Sequence, residues 1–266
     1  MRRIGIIGGG NMGEALVKGL LEKRRVDRRC LWVGEMDPVR GATLRRHYRI
    51  EVTADNRLGV RQSDLLILAV KPQELSALLE EISPLPRGRR VISIAAGVPT
   101  RWIEDRAGKV PVVRAMPNLA ARVGSSISAL SRGRYATSSH LEEARAIFEA
   151  VGEVVVLPER TLDAVTVLSG SGPAYVAYLA KLLIRSGEEV GLPHRLSRRL
   201  VLQTFLGASR FLIEEGIEPD AFIRKVASKG GTTEAAFSVL NRGRLPALFQ
   251  RALREALRRA KQLSRR

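Results

Sequence analysis

Glycines near the N-terminus are spaced as in a loop that binds a pyrophosphate group. Gly8, Gly10 and Gly13 form the pattern G-x-G-x-x-G directly after a short apolar run. The first glycine of this pattern permits a tight turn, the second lets a ligand approach the backbone, and the third lets strand and helix pack closely. Asn11 and Met12 would open a helix whose free N–H groups and dipole attract phosphate. We therefore predict a dinucleotide-binding loop here.

A carboxylate after the second apolar run bears on the choice of dinucleotide. Glu35 follows Leu31–Val33 and lies 22 positions after Gly13. A carboxylate at this place accepts hydrogen bonds from the ribose hydroxyls of NAD and repels the 2′-phosphate of NADP. Arg40, one turn into the next predicted helix, could offset part of that repulsion, and Glu35 could instead point to solvent. The pattern favours NADH over NADPH.

Three later segments place small or turn-forming residues where a predicted buried strand ends. In open parallel sheets ligands bind outside the carboxyl ends of the strands, and small side chains let a flat ligand lie against the backbone. Lys71 could also be an ordinary strand-end lysine, and Asn118 could be a turn residue, because Pro-Asn is strong turn chemistry. The three segments are Ala69-Val70-Lys71-Pro72, Ala95-Ala96-Gly97 and Met116-Pro117-Asn118.

Hydroxyl groups and glycines cluster before a predicted helix in the second half of the chain. Between Ser228 and Thr233 the sequence is typical of a loop that leads into a helix, because Gly230 and Gly231 can adopt unusual backbone angles. Exposed N–H groups at a helix start can bind a carboxylate. Thr232 could instead cap the helix with its hydroxyl.

The pattern of elements changes part-way along the chain. Short β-branched runs alternate with helical patterns up to residue 157, which is typical of a parallel sheet covered on both faces. From residue 158 onward the pattern is helical. We predict an α/β fold, with a Rossmann-like doubly wound sheet in residues 1–157 and an all-helical domain in residues 158–266. The runs expected to form strands are Ile4–Ile7, Leu31–Val33, Leu65–Val70, Val91–Ile94, Val110–Val113, Ser126–Ala129 and Val154–Leu157.

Composition limits the remaining classes of function. Lys and Arg number 45 against 27 Asp and Glu, for a net charge of +18, but the basic residues are spread along the chain and aromatics are scarce. We expect no nucleic-acid partner, because no binding motif accompanies the charge. The single Cys30 and the scattered His47, His140 and His194 predict no metal site. Without a long apolar run or a signal sequence, we expect a cytoplasmic protein with no membrane partner.

Five motifs together resemble a known family. In their order and spacing the chain is similar to pyrroline-5-carboxylate reductase, the last enzyme of proline biosynthesis, over essentially its whole length. The resemblance implies an N-terminal domain that binds NAD(P)H and a helical domain that builds an intertwined homodimer and the imine site, with assembly into decamers as a further step. The motifs are Ala69–Gln73, Ser93–Val98, Arg114–Asn118 and, in the second half, Leu168–Tyr175 and Ser228–Thr233.

The same resemblance implies roles for individual residues. Asn56 should reach the adenosine side of the cofactor, Val70 and Lys71 its middle, and Ala95 to Gly97 the region towards nicotinamide. Ser228, with the backbone around Gly231 and Thr232, would hold the carboxylate of the imine. The hydroxyl of Thr233 would hydrogen-bond the ring nitrogen, which makes Thr233 the one residue expected to assist proton placement.

Departures from the family pattern leave alternatives open. Lys229 stands where the family commonly has Pro, Ala120 where Met-Pro-Asn is commonly followed by x-Pro, and Lys225 where some relatives have Asn. A paralogue that reduces a six-membered piperideine carboxylate remains an alternative, as does a cofactor-binding protein without catalysis. A β-hydroxyacid dehydrogenase would need a basic lysine shortly after a G-x-G pattern, where this chain has Val176.

Overall fold

The computed structural model describes residues 3–264 and divides the chain into two compact units. The first unit comprises Met1–Pro173 together with Ala256–Arg266, and the second comprises Ala174–Glu255. The last segment of the chain thus belongs to the same unit as the N-terminal sheet.

An eight-stranded sheet forms the centre of the first unit. Its strands lie in the order β3-β2-β1-β4-β5-β6-β7-β8, and all neighbouring pairs are parallel except β6 and β7. The order reverses direction between β1 and β4, which is the switch point where doubly wound folds bind ligands. The strands are β1 (Ile4–Ile7), β2 (Leu31–Gly34), β3 (Glu51–Thr53), β4 (Leu65–Leu68), β5 (Arg90–Ser93), β6 (Val112–Met116), β7 (Ser126–Arg132) and β8 (Gly152–Val156).

One strand pair, β6 and β7, departs from the parallel arrangement that the sequence pattern indicates. Val113 faces Arg132 and Met116 faces Ala129 across this pair. Only residues 117–125, which include the short 3₁₀ segment Leu119–Val123, separate the two strands. A parallel neighbour needs a crossover of roughly a dozen residues or more, so this short connection allows only the antiparallel arrangement.

Helices cover both faces of the sheet, as a doubly wound fold requires. One apolar cluster joins the sheet to α1, α2 and α6, and a second joins it to α3, α4 and α5. The indole of Trp32 is fully buried in the second cluster, and its Nε1–H donates to the hydroxyl of Ser63 at 2.6 Å. The helices of this unit are α1 (Asn11–Glu22), α2 (Pro38–Tyr48), α3 (Asn56–Gln62), α4 (Leu75–Ile82), α5 (Thr100–Ala107), α6 (Ser138–Phe148) and α7 (Leu162–Val165).

Only helices follow β8 in the described residues. A π-helical turn, Thr166–Gly170, links α7 to the next helix, and the last helix ends within the first unit. The helices are α8 (Gly172–Glu189), α9 (His194–Glu215), α10 (Pro219–Val226), α11 (Thr232–Arg242) and α12 (Leu245–Leu263).

The second unit leaves most of its apolar side chains uncovered. Within its described residues, only Ala180 and Ser197 are buried, whereas Leu183 and Leu206 are more than half exposed. The helical stretch Glu159–Glu189 is even long and apolar enough to cross a membrane by length and composition alone. Apolar surface of this extent needs a covering partner to be stable in water.

A buried carboxyl group in the first unit makes stability depend on pH. Glu104, on α5, is 2% exposed and accepts a hydrogen bond from the backbone N–H of Tyr135 at 3.2 Å. Burial raises the pKa of Glu104 above its ordinary value of 4.5, while the N–H groups of Tyr135 and Arg134 lower it in part. The folded state therefore binds this proton more tightly than the unfolded state does.

We expect Glu104→Gln to remove part of the pH dependence of unfolding. With a raised folded-state pKa, the contribution of Glu104 to stability is present below 4.5 and is lost as the pH rises through the raised value. Denaturant unfolding of both proteins between about pH 4 and about pH 7 measures this difference. The free energy of unfolding should fall more steeply with pH in the original chain, by at most about 1.4 kcal/mol per pH unit. Parallel curves would contradict the assignment.

Candidate active site

The carboxyl ends of five neighbouring strands bring most of the predicted site residues to one edge of the sheet. Because β2, β1, β4, β5 and β6 are adjacent and parallel, the segments that follow them lie side by side. Gly8, Glu35, Ala69, Ala95 and Asn118 each follow one of these strands. The crevice expected at the switch point lies between the ends of β1 and β4.

The glycine loop turns tightly against the end of β4. Gly8 has φ +107°, and a Cβ atom there would lie 2.7 Å from the carbonyl oxygen of Ala69. A Cβ at Gly13 would lie 2.0 Å from the carbonyl oxygen of Gly8. At Gly10, by contrast, a Cβ would meet no described atom within 4 Å. The first and third glycines therefore serve the turn itself, and the second leaves the backbone open to a ligand.

The start of α1 offers unpaired N–H groups beside this turn. Gly10 is the N-cap residue, and no side chain of the described residues caps the helix. Asn11 is exposed and accepts a hydrogen bond from Nη1 of Arg122 at 2.9 Å, whereas Met12 is half-buried against the core. Of these two predicted residues, only Asn11 presents a polar side chain at the helix start.

Glu35 is bound to the protein through both carboxylate oxygens. Its Oε2 accepts the N–H of Gly9 at 3.0 Å, and its Oε1 accepts the N–H of Asp37 at 2.9 Å. Arg40 lies next to it, with Nε donating to the carbonyl of Gly9 at 2.7 Å and Nη2 paired with Glu14 at 2.6 Å. The alternative that Glu35 simply points to solvent is wrong, because its carboxylate holds the glycine loop.

Glu14 and Tyr48 extend this polar cluster, although no motif in the sequence indicates that they belong to it. The hydroxyl of Tyr48 donates to Oε1 of Glu14 at 3.2 Å. Burial, followed by the nearby Glu14 carboxylate, raises the pKa of Tyr48 to about 12. Tyr48 therefore remains a neutral hydrogen-bond donor throughout the ordinary pH range.

Asn56 lies buried beneath the end of β2. It is 5% exposed, and its Nδ2 donates to Oε2 of Glu81 at 3.1 Å. A Cβ at Gly34 would lie 2.4 Å from its Oδ1. Lys71, at the neighbouring end of β4, is exposed, and its backbone N–H donates to Glu74 at 3.2 Å. The ammonium group of Lys71 has no hydrogen bond or ion pair with the described residues.

Asn118 joins the end of β6 to the π-helical turn. Its Oδ1 accepts the N–H of Ala120 at 3.1 Å, and its Nδ2 donates to the hydroxyl of Ser169 at 3.1 Å. Asn118 is therefore a turn residue, as one interpretation of the sequence had it, and also anchors the Ser169 segment. A Cβ at Gly170 would lie 2.5 Å from Cε of Met116, so this π-turn packs directly on the strand end. Irregular turns of this kind are frequent at functional sites.

The hydroxyl-rich segment lies in the second unit and begins α11. Gly231 is the N-cap residue, so Thr232 and Thr233 occupy the first helical positions and the interpretation of Thr232 as the cap is wrong. Gly230 has φ +74°, and its N–H is held by the carboxylate of Glu234 at 2.5 Å. None of the described residues hydrogen-bonds the hydroxyls of Ser228, Thr232 or Thr233.

No side-chain group in the described residues is arranged to hold a metal ion. Within residues 3–264, no three His, Cys, Asp or Glu side chains form a group that could hold a metal ion.

Two family models match different parts of the chain. Residues 159–263 match a model described as pyrroline-5-carboxylate reductase dimerisation. Residues 3–97 match one described as NADP oxidoreductase coenzyme F420-dependent. A pyrroline-5-carboxylate reductase from Synechocystis is 38% identical over 98% of both chains. The chain belongs to the pyrroline-5-carboxylate reductase family.

Solved structures agree with this assignment. A pyrroline-5-carboxylate reductase from Coxiella burnetii superimposes with a TM-score of 0.91 at 35% identity, covering 99% of this chain and 98% of the other. A pyrroline carboxylate reductase from Plasmodium falciparum with NADP bound gives 0.90 at 25% identity, with the same coverage. The predicted Rossmann-like sheet and helical dimerisation domain are confirmed, and the chain is an NAD(P)H-dependent oxidoreductase.

We expect alanine substitutions at two glycines of the loop to separate folding from ligand binding. Gly13→Ala should destabilise the fold, because its Cβ would overlap the carbonyl oxygen of Gly8. Gly10→Ala should leave the melting temperature unchanged and weaken NADH binding about tenfold, because the methyl group enters the open face of the loop. Thermal unfolding and titration calorimetry measure the two effects. Equal NADH affinity in Gly10→Ala and the original chain would place the ligand elsewhere.

Proposed function

We propose that this chain reduces 1-pyrroline-5-carboxylate to L-proline with hydride from NAD(P)H, as the last step of proline biosynthesis. The observation that carries the proposal is the agreement in sequence over nearly the whole length with reductases of that name. The open glycine loop and the unpartnered hydroxyls at the start of α11 support it, since one suits a dinucleotide and the other a small polar substrate.

The residues at the carboxyl edge fit a nicotinamide dinucleotide. When bound, such a cofactor supplies a hydride to the imine carbon. The open backbone at Gly10, the uncapped start of α1 and the small residues after β4 and β5 suit a flat, phosphate-bearing ligand. We assign cofactor binding to Gly8, Gly10, Asn11, Met12, Gly13, Glu35, Asn56, Ala69, Val70, Lys71, Pro72, Ala95, Ala96, Gly97 and Asn118.

We further propose that the cofactor preference leans to NADH. Glu35 and Asp37 place two carboxylates at the end of β2, and the guanidinium of Arg40 is already paired with Glu14. A 2′-phosphate would therefore meet negative charge without a free arginine to offset it. The NADP found in the Plasmodium relative shows that other members accept that cofactor.

Removal of the charge on Glu35 tests this preference. Glu35→Gln keeps an acceptor for the Gly9 N–H and should raise kcat/KM for NADPH relative to NADH about tenfold, equivalent to about 1.4 kcal/mol. Steady-state kinetics with both cofactors on both proteins supply the ratio. Asp55→Asn, an exposed carboxylate in the next strand-to-helix turn, is the matched control and should leave the ratio unchanged. An original chain that already favours NADPH would refute the preference.

We assign imine binding to the segment from Ser228 to Thr233. The hydroxyl of Ser228 and the backbone around Gly231 and Thr232 would hold the substrate carboxylate at the start of α11. The hydroxyl of Thr233 would hydrogen-bond the ring nitrogen and assist proton placement. A protonated imine is already a good electrophile, so this chain needs to position and solvate it rather than supply a strong base.

Substitution of Thr233 tests both the assignment and the reaction. Thr233→Ala should lower kcat/KM for pyrroline-5-carboxylate about 100-fold, because a donor or acceptor at the reacting group is lost. Thr233→Ser keeps the hydroxyl and should retain most of the activity. The assay follows the oxidation of NADH, with thermal unfolding as the check on folding. Equal kinetics in Thr233→Ala and the original chain would move the role elsewhere.

A six-membered cyclic imino acid is the second candidate substrate. Lys229 is exposed directly beside Ser228 and adds positive charge to the proposed carboxylate site. That charge would attract the carboxylate of a piperideine ring as well as that of a pyrroline ring. Parallel assays with piperideine-6-carboxylate distinguish the two substrates, and faster turnover of the larger ring would replace the first proposal.

Residues 158–266 are proposed as the dimerisation and substrate domain, and residues 1–157 as the dinucleotide-binding domain. The uncovered leucines of the second unit supply an apolar surface for a second copy of the chain. We propose a cytoplasmic homodimer, with a decamer as its higher assembly and with neither nucleic acid nor membrane as a partner. The mass in solution distinguishes two chains from ten.

A further inference from the structure

A buried arginine on β6 connects the sheet to two carboxylates. The side chain of Arg114 is 4% exposed, with Nη1 3.6 Å from Glu159 and Nη2 3.4 Å from Asp163. Both carboxylates lie in the region that matches the dimerisation model. An arginine can face two carboxylates at once because its guanidinium is a planar fork of donors.

The first carboxylate holds the start of α5. Oε1 of Glu159 accepts the backbone N–H of Thr100 at 2.7 Å, and Oε2 accepts the Thr100 hydroxyl at 2.9 Å. Thr100 comes three residues after Gly97, at the far end of the turn that follows β5. Glu159 therefore fixes one end of the segment that we assign to the cofactor.

The second carboxylate holds the end of the described chain against the same segment. Oδ1 of Asp163 accepts the hydroxyl of Ser264 at 2.9 Å. A Cβ at Gly97 would lie 3.4 Å from the carbonyl carbon of Leu263 and from Oγ of Ser264. Gly97 has φ +76°, so its backbone faces the end of α12 in a conformation that other residues rarely adopt.

We propose that Arg114 is a positioning residue for the turn Ala95–Gly97. Through Glu159 it fixes the start of α5, and through Asp163 and Ser264 it fixes the backbone that lies against Gly97. The inference rests on the proposed role of this turn in cofactor binding. A well-packed apolar side chain at position 114 would stabilise the fold at least as well as a buried ion pair. The arginine therefore indicates that the two carboxylates must be held in fixed positions.

The arrangement also gives the C-terminal helix a part in cofactor binding. Leu263 and Ser264 reach the turn after β5 from the opposite end of the sequence. A shift in this helix would therefore move the backbone against Gly97 as well as the carboxylate paired with Arg114. The position of the turn after β5 therefore depends on the end of α12 as well as on the sheet.

The experiment measures the dissociation constant for NADH in variants of this network by titration calorimetry. Arg114→Met should raise it about tenfold, and Ser264→Ala, which leaves both ion pairs in place, should raise it by a smaller factor. Arg114→Lys keeps the charge and should recover part of the affinity. Arg90→Met is the matched control, because it removes another largely buried ion pair, with Glu143, at the opposite end of β5. It should lower the melting temperature and leave NADH binding unchanged.

The outcomes separate this inference from the proposal on which it rests. Ala96→Val alters the turn itself and should weaken NADH binding; if it does not, the assigned role of the turn is wrong. If Ala96→Val weakens binding while Arg114→Met and Ser264→Ala do not, the positioning role is wrong. If Arg114→Met and Arg90→Met lose the same affinity for NADH, the network stabilises the fold in general and does not position the turn. If Arg114→Met does not fold, Ser264→Ala and Arg114→Lys decide the question.

Discussion

The arrangement of residues at the carboxyl edge of the sheet depends on how closely the turn after β1 approaches the backbone after β4. Gly8 and Ala69 come so near that no side chain fits between them, and Gly13 packs on the same turn from the other side. This contact fixes the direction in which α1 leaves the sheet and so where its free N–H groups point. The residues after the other strands take their places along the edge because the strands are parallel and in register.

The two proposed binding regions differ in how their polar groups are used. At the carboxyl edge, Glu35, Asn56 and Asn118 are all hydrogen-bonded within the protein, so the surface that would meet the cofactor is already ordered. At the start of α11, the hydroxyls of Thr232 and Thr233 have no partner in the described residues. A rigid, ordered surface suits a large cofactor, while unpaired hydroxyls suit a small polar substrate that supplies the missing hydrogen bonds.

Local patterns in the sequence predicted those elements whose residues follow a regular spacing. The glycine spacing located the turn after β1, and the apolar runs located β1, β2, β4 and β5 nearly to the residue. The three-residue strand β3 and the short helix α3 were missed, because Glu51–Thr53 and Asn56–Gln62 are too brief to establish a period. The direction of β7 depends on the length of one connection rather than on any property of the strand itself.

Contacts between distant residues could not be predicted in the same way. Residue spacing identified Glu35 as a candidate, but its bond to the Gly9 N–H depends on how two strand ends meet. Nothing near Arg114 in the sequence indicates Glu159, Asp163 or Ser264, which are 45 to 150 residues away. The helical pattern of the later segments predicted an all-helical domain, yet within one chain the apolar faces of those helices remain largely uncovered.

That uncovered surface has a consequence for how the protein behaves on dilution. A helical unit whose described part buries only Ala180 and Ser197 gains little free energy from folding alone, so its folding and its association become one equilibrium. The temperature at which such a protein unfolds rises with its total concentration, as mass action requires. A destabilising substitution on those helices would therefore lower the folded fraction most in cells that make little of the protein, where second copies of the chain are scarce.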